Sequence, residues 1–419
     1  MPARILRIYL QLLSTTLPLC LLCSAASETT KTTLEDYETP GPVNAEDFLP
    51  TWAFTGSKIF AEKTAESNGL ENIYRIRVGQ EVQMIVGSSA AEDFLRESRA
   101  IDQLRQISTA KAVGSGLKQS AKATYQTGKQ MVQHPVESAK RVREGASRFF
   151  GKVKGFFSED QADDDQDTSA GEVVKGILGV DDAKRKIAAR LGVDVYSRNQ
   201  TLQDELNRVA SAMAGGGLAF DIGTLPIGGA AGVALTMIGI QQTVDSLINN
   251  SSEDSLRKWN EQTLSKLGAN QDLITEFLNH PWYTLRQATI ISTALNKVGI
   301  DPTIFLQAAN KALTEEDGRY FEHVAELLAA YTQKAAPLQS FRLEDGLICA
   351  VDQNGVLVVP VSLDYAMWTA TVAQRVKELA DLSTSDQNIK GVAIWTDGKA
   401  SERVKTELKQ RGIDYQNPS

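Results

Sequence analysis

The sequence predicts a multi-domain α+β protein, and three observations carry the prediction. Apolar residues alternate with polar ones in short runs between residues 57 and 86, and strand-like apolar runs return beyond 338. Residues 170–336 instead place apolar side chains at steps of three and four, the helical period. Between these regions lie stretches dominated by one sign of charge, too polar to build a core. The expected order is a signal peptide (1–26), a flexible leader (27–49), a small N-terminal α+β unit (50–108), a basic amphipathic helical segment (109–157) and an acidic linker (158–170). A central all-α domain built on a Gly-rich helical hairpin follows (171–337, hairpin 209–247), then a C-terminal ββαβα α/β domain (338–419).

The 419 residues carry a net charge of −8, with 42% hydrophobic and 23% charged side chains. Such fractions belong to globular protein, and the sign of the charge speaks against a nucleic-acid role for the whole molecule. Arg4 and Arg7 precede an apolar run at 8–23, and Ser24-Ala25-Ala26 supplies small residues for a cut after Ala26. This is the pattern of a secretory signal peptide, with an uncleaved anchor as the alternative. It predicts an exported protein, periplasmic or associated with the envelope. Cys20 and Cys23 each follow Leu, where a lipid-attachment site would need a small residue. After the cut only Cys349 remains, so no intrachain disulfide forms, and its apolar run at 347–351 makes it a small buried hydrophobe.

The leader is rich in Thr, Glu and Pro. Strands are expected at 57–64, 72–78 and 81–86, separated by Ser67-Asn68-Gly69 and Gly79-Gln80. Ser88 or Ser89 is placed to cap a helix running to about 107, with Glu92 at capping-box distance from Ser89. Residues 111–157 then carry ten Lys and Arg against only Glu137 and Glu144. After Pro135, apolar or small residues at Val136, Ala139, Val142, Ala146, Phe149, Val153 and Phe156 share one helical face. A basic amphipathic helix of this kind suits an anionic lipid surface. Arg141, Arg143, Arg148, Lys152 and Lys154 would meet headgroups, and Phe149, Phe150, Phe156 and Phe157 would insert. The alternative is a helix that packs its Phe edge on the protein or is mostly solvated. Export leaves no place for nucleic acid as a partner. Six acidic residues between 159 and 167 read as a linker and lack the glycine turn and closing Glu of a calcium loop.

In the hairpin, Pro226 divides two apolar arms at the turn Gly223-Thr224-Leu225-Pro226. Gly228 and Gly232, four apart, allow close helix approach. Residues 227–244 are uncharged and near the shortest membrane-spanning length, yet Asp221 and the polar end at Gln241 and Gln242 oppose insertion. The amphipathic helices expected on either side favour a buried hairpin over a membrane-inserted one. Helices are expected at 255–267, 271–279, 285–298, 302–313 and 317–336. Beyond 338 come strands around 341–343, 347–351 and 356–361 with an Asn354-Gly355 turn, a helix at 363–382, a strand at 391–395, a helix at 401–411 and a last strand at 413–415.

Chemical signals are sparse. Of three His, His134 and His280 precede Pro at helix starts, and His323 sits on a helix with Glu322, Glu326 and Asp317 in reach. No HExxH, GxSxG or phosphate-binding loop occurs, so no catalytic, metal or cofactor residue is assigned. Asp364 and Asp397, with Asp352 and Lys399, fall at strand ends or loops of the C-terminal domain, where α/β sheets place ligand pockets. Asp397-Gly398 also reads as an ordinary strand-to-helix turn.

The strings WTDGKASERVKTELKQRGI, VSLDYAMWT and HPVESAKRVREGASRFFGKV resemble a group of uncharacterised exported proteins of Gram-negative bacteria. The resemblance spans most of the chain after the signal and implies export and this modular order, with no activity and no site residues. The expected function is therefore that of a non-enzymatic envelope protein, contacting a lipid surface or a protein partner through the basic helix and the hairpin. Two alternatives stand beside it. One is an enzyme or small-ligand module in the C-terminal domain using Asp364 or Asp397. The other is a pore-forming or toxin-like protein that hides its hairpin until triggered.

Overall fold

A computed structural model describes residues 37–111, 169–214, 239–344 and 346–417. The segment expected as a signal peptide, the first part of the leader, most of the basic segment with the nine residues expected to meet lipid, nearly all of the expected acidic linker and the expected hairpin turn lie outside them. Among the described residues the protein is α+β, with several sheets and eleven helices. No described helix is long and apolar enough to cross a membrane. Contacts divide the chain into two compact units, one of residues 1–96 and 229–419 and one of 97–228.

The first unit begins with an antiparallel sheet. Strands β1 (Pro42–Asn44), β2 (Ile59–Ala61), β3 (Thr64–Ser67), β4 (Asn72–Val78) and β5 (Glu81–Val86) pair around β4. Alternation along β4 sends Tyr74 and Ile76 into the core, both fully buried. The leader was expected to stay flexible to residue 49, but its end is packed. Short 3-10 turns at Ala45–Asp47 and Thr51–Phe54 bury Ala45, Leu49 and Ala53 against the sheet. The polar composition of 28–46 hides the packing that begins at its end with Val43 and Ala45. Helix α1 (Ser88–Lys111) follows β5, and its Ala91 and Leu95 close the same core.

The second unit takes α1 beyond Arg96, with α2 (Ser169–Leu191) and α3 (Gln200–Ala214). Ile187, Leu191, Leu202, Leu206 and Val209 are buried at helical spacing. Asn199 Nδ2 donates to Glu97 Oε2 at 2.9 Å, and Arg105 pairs with Glu205 at 3.0 Å.

Back in the first unit, helices α4 (Ile240–Asn250), α5 (Glu253–Lys266), α6 (Gln271–Leu278), α7 (Leu285–Val298), α8 (Thr303–Ala309) and α9 (Glu315–Lys334) form a bundle around α7. Buried residues cover every side of α7, including Thr289, Ser292 and Thr293, as a central helix requires. Capping boxes start α7 at Thr284 and α9 at Thr314.

The C-terminal sheet has the order β12-β10-β8-β7-β6. It is built from β6 (Leu338–Glu344), β7 (Leu347–Asp352), β8 (Val356–Val361), β10 (Gly391–Thr396) and β12 (Ile413–Gln416); β9 (Tyr365–Ala366) pairs separately with β11 (Lys399–Ala400). Strands β8, β10 and β12 are parallel, joined by α10 (Ala370–Ser385) and α11 (Glu402–Gln410). One face buries Leu357, Val359 and Val392 with Val372 and Leu408 of those helices. The other carries Val358, Ala393 and Trp395, and Trp395 meets Tyr331 of α9 edge-on at 5.0 Å. The helix expected at 363–382 starts later, at Ala370, because residues 364–367 bond to the backbone of Gly69 and Leu70 and form β9 instead.

Candidate functional site

The side chains of interest stand where β8 and β10 end. Their parallel register pairs Val361 with Thr396, so Ser362 and Asp397 leave the sheet side by side. Ser362 Oγ donates to Asp397 Oδ2 at 2.7 Å, and the Leu363 N–H donates to Asp397 Oδ1 at 3.1 Å. Gly398 makes this approach feasible: a Cβ there would stand 2.0 Å from the Leu363 carbonyl oxygen.

His323 of α9 completes the arrangement. Its Nδ1 lies 2.8 Å from Asp397 Oδ2 and 3.0 Å from Ser362 Oγ. Its Nε2 lies 3.3 Å from Ser89 Oγ in the first turn of α1. The His323 side chain keeps 24% of its surface exposed, against 9% for Asp397, so both are largely sheltered and the carboxylate more so. Burial disfavours charge on His323, but the hydrogen bond and charge of Asp397, with the charges of Glu322 and Glu326, outweigh it and hold the imidazole up at about 9. At neutral pH both ring nitrogens then donate, Nδ1 to Asp397 and Nε2 to Ser89. Loss of the Nε2 proton leaves an acceptor aimed at the Ser89 hydroxyl.

Ser89 is held by its backbone. Gly87 turns the chain from β5 into α1 at φ 87°, a conformation costly for other residues. Its N–H donates to the Asn72 carbonyl. Asp364 accepts from the Ser88 N–H at 2.9 Å and the Asn72 N–H at 2.8 Å. It therefore caps α1 from 276 residues away, in place of the local capping box expected from Ser89 and Glu92. Ser89 points to His323 instead, and Glu92 pairs with Arg96 at 2.7 Å. Burial raises the Asp364 carboxyl above its usual range, against the Ser88 and Asn72 donors that favour its charge.

Beyond Glu322 the acidic side of α9 continues with Glu326, 7% exposed. Burial, then the charge of Glu322, pushes Glu326 up to about 7. Among the described residues no group of His, Cys, Asp and Glu has the geometry to hold a metal.

Of the residues singled out in the sequence, Asp397 and His323 come together, and Asp364 stands beside them with both oxygens engaged by backbone. Asp352 is separate: it accepts from Asn354 and Val356 N–H at 2.8 Å and fixes the β7–β8 turn. Lys399 donates to the Asp47 carbonyl. His280 belongs to the turn before α7, where its ring lies 5.3 Å from Tyr283, and His134 lies outside the described residues. Ser89 and Ser362 had no functional assignment. The one local hint for Ser89 is a strand, a glycine and two serines opening a helix. Compared with family models, curated proteins and solved structures, the chain matches none.

Proposed function

We propose that Ser89, His323 and Asp397 form an acyl-transfer site, acting as a hydrolase on an ester or similarly activated acyl group. The supporting observation is the order of contacts: serine oxygen to Nε2 at 3.3 Å and Nδ1 to carboxylate at 2.8 Å. This order fits a nucleophile, a general base and a group that fixes the base's tautomer. Neutral His323 takes the Ser89 proton as Oγ attacks the acyl carbon. Asp397 keeps the proton on Nδ1 and steadies the imidazolium that forms. The N–H groups of Ser89 and Ala90, in the first turn of α1 and without intrahelical acceptors, are donors suited to the oxyanion. His323 then returns its proton to the leaving group, and water repeats the sequence to free the enzyme. Hydrolysis of a p-nitrophenyl ester tests this: Ser89→Ala should lose on the order of 10²–10⁴-fold in rate, and an unchanged rate excludes the site.

A second reading concerns location. We propose an exported protein that meets an anionic lipid surface through residues 136–157, supported by the basic charge and one-faced apolar spacing of that segment. Flotation with anionic and neutral liposomes tests it. Salt-sensitive binding to anionic vesicles, lost when Arg141, Arg143, Lys152 and Lys154 are reversed in charge, supports it; binding indifferent to those changes overturns it.

A further inference from the structure

The helix that carries His323 also carries Glu322 and Glu326, one turn apart and therefore on one face. Glu326 is buried, yet its visible anchor is neutral: Gln241 Nε2 donates to Glu326 Oε1 at 2.8 Å. Gln241 Oε1 in turn accepts from Arg286 Nη2 at 2.8 Å, and Arg286 Nη1 pairs with Asp245 at 2.6 Å. The Arg286 guanidinium is thus paired with Asp245 and bonded to the Gln241 amide, so its charge favours ionised Glu326 from behind that amide. His323 is the cation next to Glu326 along the same helix.

We propose that Glu326 is a positioning residue for the Ser89–His323–Asp397 site, holding His323 in its charged form so that the site is silent when Glu326 is ionised and the imidazole protonated. The proposal rests on the acyl-transfer reading for its consequence, but not for the coupling itself. The groups around this pair come from several elements, including Arg319 of α9, Asp93 of α1 and Gln287 of α7, which act on the adjacent Glu322. Ser89 and Glu92 approach from α1, the latter paired with Arg96. Asp397 and Ser362 approach from the sheet ends, Gln241 from α4 with Asp245 behind it, Arg286 from α7, and Glu322 from α9 itself. Among the described residues the cations of this neighbourhood are engaged with other carboxylates: Arg286 with Asp245, Arg96 with Glu92, and Arg319, one turn before His323 on α9, with Glu315 and Asp93. The charges that act on His323 itself are those of Asp397, Glu322 and Glu326. Each favours the imidazolium, and Glu326 is among the least hydrated.

The test is the titration of His323 in the full chain, read by NMR on ring-labelled histidine and assigned with His323→Gln. Glu326→Gln keeps the size and a hydrogen-bond partner for Gln241 while removing the charge. The His323 midpoint should fall by about one pH unit, and the pH at which Ser89 becomes reactive should fall with it. A midpoint that does not move overturns the proposal. A moved midpoint in a protein whose Ser89 never reacts upholds the coupling and refutes the acyl-transfer reading instead. Should Glu326→Gln not fold, the reciprocal measurement decides. In His323→Gln, the Glu326 carboxyl, followed by labelled glutamate, should titrate at higher pH than in the parent, and an unchanged titration overturns the proposal.

Discussion

His323 Nδ1 and Asp397 Oδ2 are 2.8 Å apart although 74 residues of chain separate them. The contact joins a bundle helix to the end of a parallel strand. It leaves the other imidazole nitrogen directed at a serine 234 residues earlier.

Reactivity of Ser89 should be alkaline. His323 accepts a proton only when neutral, and its surroundings hold it up at about 9. The rate of ester hydrolysis should therefore rise about tenfold per pH unit below that value and level off above it. A plateau already reached at pH 6 would mean that His323 is not the base.

Stability should run the opposite way. For a raised histidine, the stabilising contribution is fully present below the ordinary value of 6.5 and is lost as pH rises through about 9. For Glu326, raised to about 7, it is fully present below 4.5 and lost as pH rises through 7. Both losses have the same sign, so the first unit should weaken as pH rises from 5 to 9. Thermal melts at fixed salt check this, with Tm lower at pH 9 by several degrees. A unit that loosens on acidification, as a low-pH-triggered pore would need, would contradict it.

Asp364→Ala should destabilise by about 2–4 kcal/mol, since it removes the cap of α1 and leaves the buried Asn72 N–H without an acceptor. Denaturant unfolding measures it. A change within about 0.5 kcal/mol, the range of a neutral surface substitution, would show that the cap is dispensable.

Gly398→Ala should both destabilise and disarm the site. The new methyl meets the Leu363 carbonyl, whose residue also donates to Asp397, and overpacking of this kind costs about 1–3 kcal/mol. Tm and ester hydrolysis should fall together; a variant with parental activity would place Asp397 outside the mechanism.

Much of the architecture was legible in local pattern. Alternation marked β4 and β5 at their observed bounds, and the run at 285–298 marked α7. Asn354-Gly355 marked the β7–β8 turn. The packed end of the leader was not legible, because only Val43, Ala45, Phe48 and Leu49 at the end of a polar stretch carry its burial. Nor was β9, which forms through backbone bonds to Gly69 and Leu70 from the other end of the chain. The site escaped for the same reason. Ser89 reads as a cap, His323 as one polar residue on an amphipathic helix and Asp397 as a turn residue. Only the register of β8 against β10 and the docking of α9 make them neighbours.

The most direct measurement is covalent labelling of the full chain with a fluorophosphonate, which traps a serine only when its hydroxyl is activated, followed by peptide mapping. The account predicts a single adduct on Ser89, absent in Ser89→Ala and formed on the order of 10²–10⁴-fold more slowly in His323→Gln. No adduct on Ser89 at pH 9, or equal labelling of His323→Gln, would contradict it and leave the His323–Asp397 pair as a structural tie.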